Sequence, residues 1–108
     1  MSHEIPVVRL SGELDIARAP SMREELFSVV DNRHVGLVVD LTGAHYLDSA
    51  GVNVLFEVAE ELSGHQLHMA LVIPPGSLVE KVVTLVALDS VAPIKRDVEA
   101  ALAHIRQS

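Results

Sequence analysis

Short apolar runs, separated by stretches of helical spacing, make up the hydrophobic pattern of this chain. The runs at 37–39 and 67–73 are apolar without alternation, which is typical of strands buried on both faces. A third run lies at 5–10, a short strand is expected again at 13–15, and a last short strand within 88–94. The pattern therefore places strands along the whole chain.

Four helices are predicted between and after these strands. Pro20 lies in the first turn of the first helix, where its missing N–H is tolerated. Ser77 begins the third helix, with Glu80 three residues later in a capping box, and Asp97 begins the fourth. The second helix spans 50–62, and residues at helical spacing form its apolar face: Val52, Leu55, Phe56, Ala59 and Leu62.

The order of these elements predicts an α/β fold. Strands and helices follow one another as ββαβαβαβα, which implies a single mixed, mostly parallel sheet of about 4–5 strands with about 4 helices. We expect one domain spanning residues 1–108. A chain of this size buries roughly 65% of its unfolded surface, which is enough for one core without crosslinks.

Residues 47–51, with the sequence Leu-Asp-Ser-Ala-Gly, follow the first buried strand and a small polar loop at 42–46. Asp48 and Ser49 are both good N-cap residues for the second helix, because a side-chain oxygen accepts an unpaired N–H of the first turn. Loops after the strands of α/β folds are also where functional sites tend to lie. Spacing alone leaves two interpretations of Ser49 open, a structural cap and a functional hydroxyl.

Two further groups of residues have two interpretations each. Val54 and Val58 flank the apolar face of the second helix, and they either pack on a neighbouring helix or form an exposed strip for a partner. Asp15, Asp40 and Asp48 all fall at the ends of strands or in the loops that follow. They either cap turns or cluster at one edge of the sheet and shape a docking surface.

Composition excludes several classes of function. The net charge of −7 argues against a nucleic-acid binder, which needs a basic patch, and against binding to an anionic membrane surface. Cysteine is absent, which excludes disulfides and thiolate metal sites. No apolar run approaches the roughly 20 residues of a membrane-spanning helix. We therefore expect a soluble cytoplasmic protein.

Enzymatic chemistry is not expected either. His65 and His68 are the closest histidine pair, but residues three apart on a strand point to opposite faces, and no third ligand follows at a useful spacing. A hydrolase built on Ser49 would need a Gly-x-Ser-x-Gly elbow, and Leu47 stands where the first glycine would be. No glycine-rich phosphate loop is present. We predict no catalytic residue, no metal and no cofactor.

The order and separation of two segments resemble the STAS domain family, in particular the bacterial anti-sigma factor antagonists. These segments are the strand 38–41 followed by 47–51, and the upstream Leu-Ser-Gly-Glu-Leu-Asp at 10–15. The resemblance covers roughly residues 5–105. It implies that the two short N-terminal strands pair with each other, and that Ser49 is phosphorylated by a partner that is both an anti-sigma factor and a serine kinase.

The resemblance also implies a mechanism and a surface. The unphosphorylated protein binds the anti-sigma factor and frees a sigma factor for transcription; phosphorylation ends the interaction, and a phosphatase restores it. Together with the residue pattern, the resemblance leads to the hypothesis that the partner binds the segment 13–15 and the first half of the second helix with its start: Glu13, Asp15, Asp48, Ala50, Gly51, Asn53, Val54 and Val58. Ala50 and Asn53 depart from the residues that many antagonists carry there.

Two other roles of STAS domains are alternatives. One is a subunit of a lipid-transport ABC system that binds the ATPase subunit without a phosphorylation switch. The other is a scaffold protein of a stress-signalling assembly. The sequence does not name the sigma factor, the kinase or the oligomeric state.

Overall fold

The structure is a computed structural model that describes residues 4–33 and 36–107, except for the side chains of 32 and 33. A short 3₁₀ turn at Leu88–Ser90 precedes the last strand. The elements in chain order are β1 (Val7–Arg9), β2 (Gly12–Leu14), α1 (Ala19–Arg33), β3 (Leu37–Asp40), β4 (Ala44–Leu47), α2 (Ser49–Gly64), β5 (Met69–Val72), α3 (Leu78–Leu85), β6 (Ile94–Lys95) and α4 (Val98–Arg106).

The central sheet contains four parallel strands in the order β1-β3-β5-β6. Every residue of β3 and β5 is buried, as the non-alternating apolar runs predict. One core lies on the face that α1 and α2 cover, and a smaller core lies under α4, where Ala101 and Ile105 pack on Val38, Ala70 and Val72. The predicted α/β class, the four helices and the parallel sheet are confirmed.

The expected pairing of the two N-terminal strands is wrong. β1 pairs with β3, and β2 pairs with β4 in a separate two-stranded parallel sheet. Gly12 has a φ of +81°, and its N–H donates to the Gly43 carbonyl at 2.9 Å, so the chain shifts from one sheet to the next without reversing. The predicted single sheet is therefore divided, and the pairings within the described residues are all parallel.

Strand β4 lies where the pattern predicts only a polar loop. Its four residues carry no apolar run, and His45 and Tyr46 are exposed. Pairing with β2 supplies the backbone hydrogen bonds that make this segment a strand, with Glu13 opposite Tyr46 and Leu14 opposite Leu47. Partner strands far away in the sequence decide its structure.

Helix α2 settles the two interpretations of its flanking valines. Val54 and Val58 are 4% and 0% exposed and belong to the larger core, on a helix that packs along α1. The interpretation as an exposed strip is wrong, because a core lies against both sides of the stripe predicted from spacing. In helix α3, by contrast, Leu78 and Leu85 are exposed. No helix in the described part of the chain has the length and apolar character needed to cross a membrane.

Candidate functional site

Helix α2 begins directly after strand β4, and Asp48 is its N-cap. The Asp48 backbone is extended, and its Oδ1 accepts the N–H of Ala50 at 2.9 Å and of Gly51 at 3.1 Å. These are two of the donors that a helix start leaves without intrahelical partners. Of the two cap candidates in the sequence, the structure selects Asp48.

Ser49 is consequently the first residue of α2 rather than its cap. Its side chain is exposed, and within the described residues the hydroxyl has no hydrogen-bond partner. The structural role that competed with a functional one is thus filled by the preceding residue. An accessible hydroxyl at a helix N-terminus, where backbone N–H groups favour negative charge, is well placed to carry a phosphate.

The second oxygen of Asp48 links the helix start to the turn after β2. Oδ2 accepts the N–H of Ile16 at 3.2 Å, and the Asp48 N–H donates to the Leu14 carbonyl at 3.3 Å. Gly51 allows this approach, since a Cβ there would lie 2.5 Å from the Leu14 carbonyl oxygen. The two segments that the resemblance implicated, 13–15 and 48–53, therefore form one continuous surface.

The turn after β2 is held firmly on its other side as well. Asp15 accepts the N–H of Arg18 on both its backbone oxygen and its Oδ1, each at 3.0 Å, and its backbone oxygen accepts the N–H of Ala19 at 2.9 Å. The Arg18 guanidinium points toward α1, donating to Ser21 Oγ at 2.8 Å and lying 3.6 Å from Glu25. No described ion pair therefore neutralises Glu13 or Asp48.

The three strand-end aspartates all accept hydrogen bonds from nearby backbone N–H groups, as the turn-capping interpretation predicts. Asp40 is 9% exposed and accepts the Thr42 N–H at 3.0 Å and the Thr42 hydroxyl at 2.8 Å. Strand β4 separates Asp40 from Asp48 along the chain. Asp48 is joined to the residues on either side of Asp15, Leu14 and Ile16, whereas Asp40 caps the turn between β3 and β4.

The remaining predicted partner residues differ in their exposure. Glu13 and Asn53 are exposed and Ala50 is half-buried. Gly51 is buried and acts by allowing close packing, and Val54 and Val58 belong to the core, so we remove these two valines from the proposed surface. The exposed part of the surface is therefore smaller than the sequence predicts.

Sequence reasoning missed two exposed hydrophobic residues at this surface. Ile16 is 76% exposed beside the Asp48 carboxylate, and Tyr46 is 44% exposed opposite Glu13 on β4. The available signal was an isoleucine in a short segment between the charged residues Asp15 and Arg18. Its exposure and its position beside Asp48 follow from the fold and not from the local sequence.

One groove of the described surface lies away from Ser49. A groove of about 860 Å³ lies at the other end of α2, bordered by Ser63, Gly64, Ser90 and Val91. Among the residues that the structure describes, no group of three His, Cys, Asp or Glu side chains is placed to hold a metal ion.

Comparison of the sequence with known proteins identifies the family of this chain. The model of the STAS domain family matches residues 2–101. The chain belongs to the STAS domain family. It is similar to the anti-sigma-F factor antagonist RsfB of Mycobacterium tuberculosis, with 26% identity over 102 residues, 94% of this chain and 82% of the relative.

Two solved structures extend the similarity. The crystal structure of an anti-sigma factor antagonist from Mycobacterium paratuberculosis has a TM-score of 0.83 and 28% identity, and the match covers 98% of this chain and 90% of that one. The unphosphorylated form of the anti-sigma factor antagonist SpoIIAA has a TM-score of 0.73 at 20% identity, over 100% of this chain and 96% of that one. This second likeness concerns the STAS fold alone.

Proposed function

We propose that the protein is an anti-sigma factor antagonist whose binding to an anti-sigma factor is controlled by phosphorylation of Ser49. The observation that carries the proposal is the exposed, unbonded hydroxyl at the first residue of α2, where Asp48 performs the capping. The names of the relative RsfB and of the paratuberculosis structure support the antagonist role. The position of Ser49 after the aspartate of the motif supports its modification.

In the unphosphorylated state the partner contacts the turn after β2 and the start of α2 together. Asp48 keeps these two segments in one arrangement through the Ile16 and Ala50 N–H groups. Because the surface is formed before binding, little conformational freedom is lost when the partner docks. The protein then serves as a binding module and a kinase substrate without catalysing a reaction itself.

Phosphorylation changes the charge of this surface while the fold persists. A phosphate carries about −1.5 to −2 charges at neutral pH. A helix N-terminus stabilises such a charge by about 0.3–1 kcal/mol, and by up to about 2 kcal/mol when it is partly buried. The neighbouring carboxylate of Asp48 is already negative, so the local charge more than doubles. Contact with a tightly packed partner surface is then disfavoured, and each 1.4 kcal/mol of binding free energy lost weakens binding about tenfold.

The remainder of the proposal concerns the cycle in the cell. Release of the anti-sigma factor from its sigma factor permits transcription, and the anti-sigma factor, acting as an ATP-dependent serine kinase, ends the interaction by modifying Ser49. A phosphatase regenerates the binding form. The cycle takes place in the cytoplasm and requires no cofactor bound to the STAS domain.

Intact-mass analysis after incubation with a candidate anti-sigma factor kinase and ATP tests the proposal. We expect the mass of one phosphate to be added to the wild type and to Ser63→Ala, and no addition to Ser49→Ala. Ser63 is an exposed serine at the other end of α2 and therefore a matched control. If no kinase that binds the protein modifies it, the phosphorylation switch is wrong. If phosphate is added to Ser49→Ala as well, the assigned residue is wrong.

A further inference from the structure

An exposed isoleucine at the proposed partner surface has no role in the folded core. Ile16 is 76% exposed and belongs to neither core cluster. The other isoleucines, Ile5, Ile73, Ile94 and Ile105, are buried in the two cores or packed against them. The side chain of Ile16 thus contributes little to folding, because most of its apolar surface stays in water.

The backbone of Ile16 is nevertheless held on both sides. Its N–H donates to Asp48 Oδ2 at 3.2 Å, which ties it to the start of α2. The residue before it, Asp15, accepts the N–H groups of Arg18 and Ala19, which close the turn that follows. An apolar side chain on a backbone held in this way has the properties of a binding anchor, since little backbone entropy is lost when it docks.

The surroundings of Ile16 indicate the chemistry of the surface it fits. The Asp48 carboxylate lies beside its amide, and Glu13 is exposed two residues before Asp15. The described cation nearest in sequence, Arg18, is engaged with Ser21 and Glu25 on α1. The complementary surface is therefore an apolar pocket bordered by neutral hydrogen-bond donors, which pair with these carboxylates and leave any further negative charge at Ser49 without compensation.

We propose that Ile16 is the apolar anchor of the interface and inserts into such a pocket on the anti-sigma factor. This inference rests on the proposed function and names the chemistry of the partner surface. Asp48 is then a positioning residue that holds Ile16 beside Ser49, so that the anchor and the phosphorylated residue enter the same interface. An added phosphate at Ser49 lies next to the anchor and disrupts its docking.

Calorimetric titration of the full chain with the anti-sigma factor measures the contribution of Ile16. We expect Ile16→Ala to weaken binding about 10- to 30-fold and Ile16→Val less than about fivefold, from the number of buried carbon atoms removed. The thermal unfolding midpoint should stay the same, because Ile16 is exposed. Val91→Ala is the matched control, since Val91 is 48% exposed and borders the groove at the other end of α2.

The outcomes separate this inference from the proposed function. If Ser49→Asp abolishes binding while Ile16→Ala stays within about twofold of the wild type, the function stands and the anchor is wrong. If the wild type binds no anti-sigma factor, the proposed function fails and the inference falls with it. Isoleucine methyl NMR gives an independent check: the Ile16 δ1 methyl should shift on addition of the anti-sigma factor. A shift that instead follows the concentration of the STAS protein alone would assign the anchor to a second copy and overturn the proposal.

Discussion

Both ends of helix α2 carry a serine and a glycine, but the two ends differ in how closely other parts of the chain pack against them. At the N-terminal end, Ser49 is exposed, but it lies between a capping aspartate and Gly51, which is pressed against the Leu14 carbonyl. At the C-terminal end, Ser63 and Gly64 are exposed, and a Cβ on Gly64 would meet no atom within 4 Å. The helix has 16 residues, so the two ends lie about 24 Å apart at 1.5 Å per residue.

This difference shows how a site is built around an ordinary residue. At the C-terminal end, which we call the free end, Ser63 follows no capping carboxylate that joins the helix to a second segment of the chain. A serine at the held end lies beside a carboxylate that also fixes a second segment, through the Ile16 amide. The hydroxyls are chemically alike, but Ser49 follows a carboxylate that accepts backbone N–H groups from two segments of the chain.

The largest difference between the two ends is expected in affinity for the anti-sigma factor, when either serine is replaced by aspartate. We expect Ser49→Asp to weaken binding to the anti-sigma factor about 30- to 100-fold, because it places a second negative charge beside Asp48 in the interface. Ser63→Asp should change the affinity less than about twofold. Calorimetric titration of both variants measures the difference.

The same pair of variants should show the opposite order in stability. An acidic residue in the first turn of a helix stabilises it by about 0.3–1 kcal/mol, and one in the last turn destabilises it by a similar amount. Chemical denaturation should therefore find Ser49→Asp at least as stable as the wild type. A Ser49→Asp protein that both unfolds easily and fails to bind would attribute the lost binding to lost structure.

Replacing a glycine by alanine should destabilise the protein at the N-terminal end of α2 and not at its C-terminal end. Gly51→Ala is expected to lower the free energy of unfolding by about 2 kcal/mol, because the new Cβ meets a backbone oxygen that cannot move alone. Gly64→Ala should raise it by about 0.5 kcal/mol through helix propensity. Urea denaturation of both variants measures these changes. Equal effects would mean that α2 does not approach the end of β2 as closely as the structure shows.

The cap should account for a smaller part of the stability. Asp48→Ala removes the acceptor of three backbone N–H groups, two in α2 and that of Ile16, and is expected to lower the free energy of unfolding by about 1–2 kcal/mol. Ser49→Ala should change it by less than about 0.5 kcal/mol. Thermal or chemical unfolding compares the two. If Ser49→Ala lowered the free energy of unfolding as much as Asp48→Ala does, Ser49 would again be interpreted as a cap.

The smallest effect is expected at the free end. His65 Nε2 lies 3.1 Å from Glu61 Oε2, with side chains 58% and 42% exposed. Solvent screens such pairs, so Glu61→Gln should change the free energy of unfolding by less than about 0.5 kcal/mol. Denaturation at low and at high salt tests this. A larger loss would show that the C-terminal end of α2 is held more firmly than its contacts indicate.

The predictions from sequence succeeded where hydrogen bonds or packing join near neighbours in the chain. Asp48, one of the two predicted caps of α2, accepts N–H groups two and three residues away. Ser77 caps α3 by accepting the N–H of Glu80, while Glu80 accepts the N–H of Gly76 in place of that of Ser77. The buried strands β3 and β5 are equally clear, because their apolar runs are sufficient to indicate burial on both faces. The family resemblance rested on the same local segments, and the match over residues 2–101 confirms it.

The predictions failed where the answer depended on residues far away in sequence. The first two strands are expected to pair with each other, yet β1 and β2 each pair with a strand more than 25 residues later in the chain. Val54 and Val58 lie at the margin of the apolar face, where periodicity does not distinguish a wide core from an exposed strip. Strand pairing and the burial of these two valines both depend on other elements of the fold, so neither can be predicted from one element alone.

Local sequence thus decides the α/β class, the approximate helix starts and the presence of an Asp-Ser pair at the start of α2, since these features depend on interactions within about four residues. Tertiary structure decides which residues surround that serine. The bond between the Ile16 amide and Asp48 joins positions 32 residues apart, and the parallel pairing of β2 with β4 brings Glu13 opposite Tyr46. A surface is the product of such long-range contacts, so the candidate residue is visible in the sequence and the site around it only in the fold.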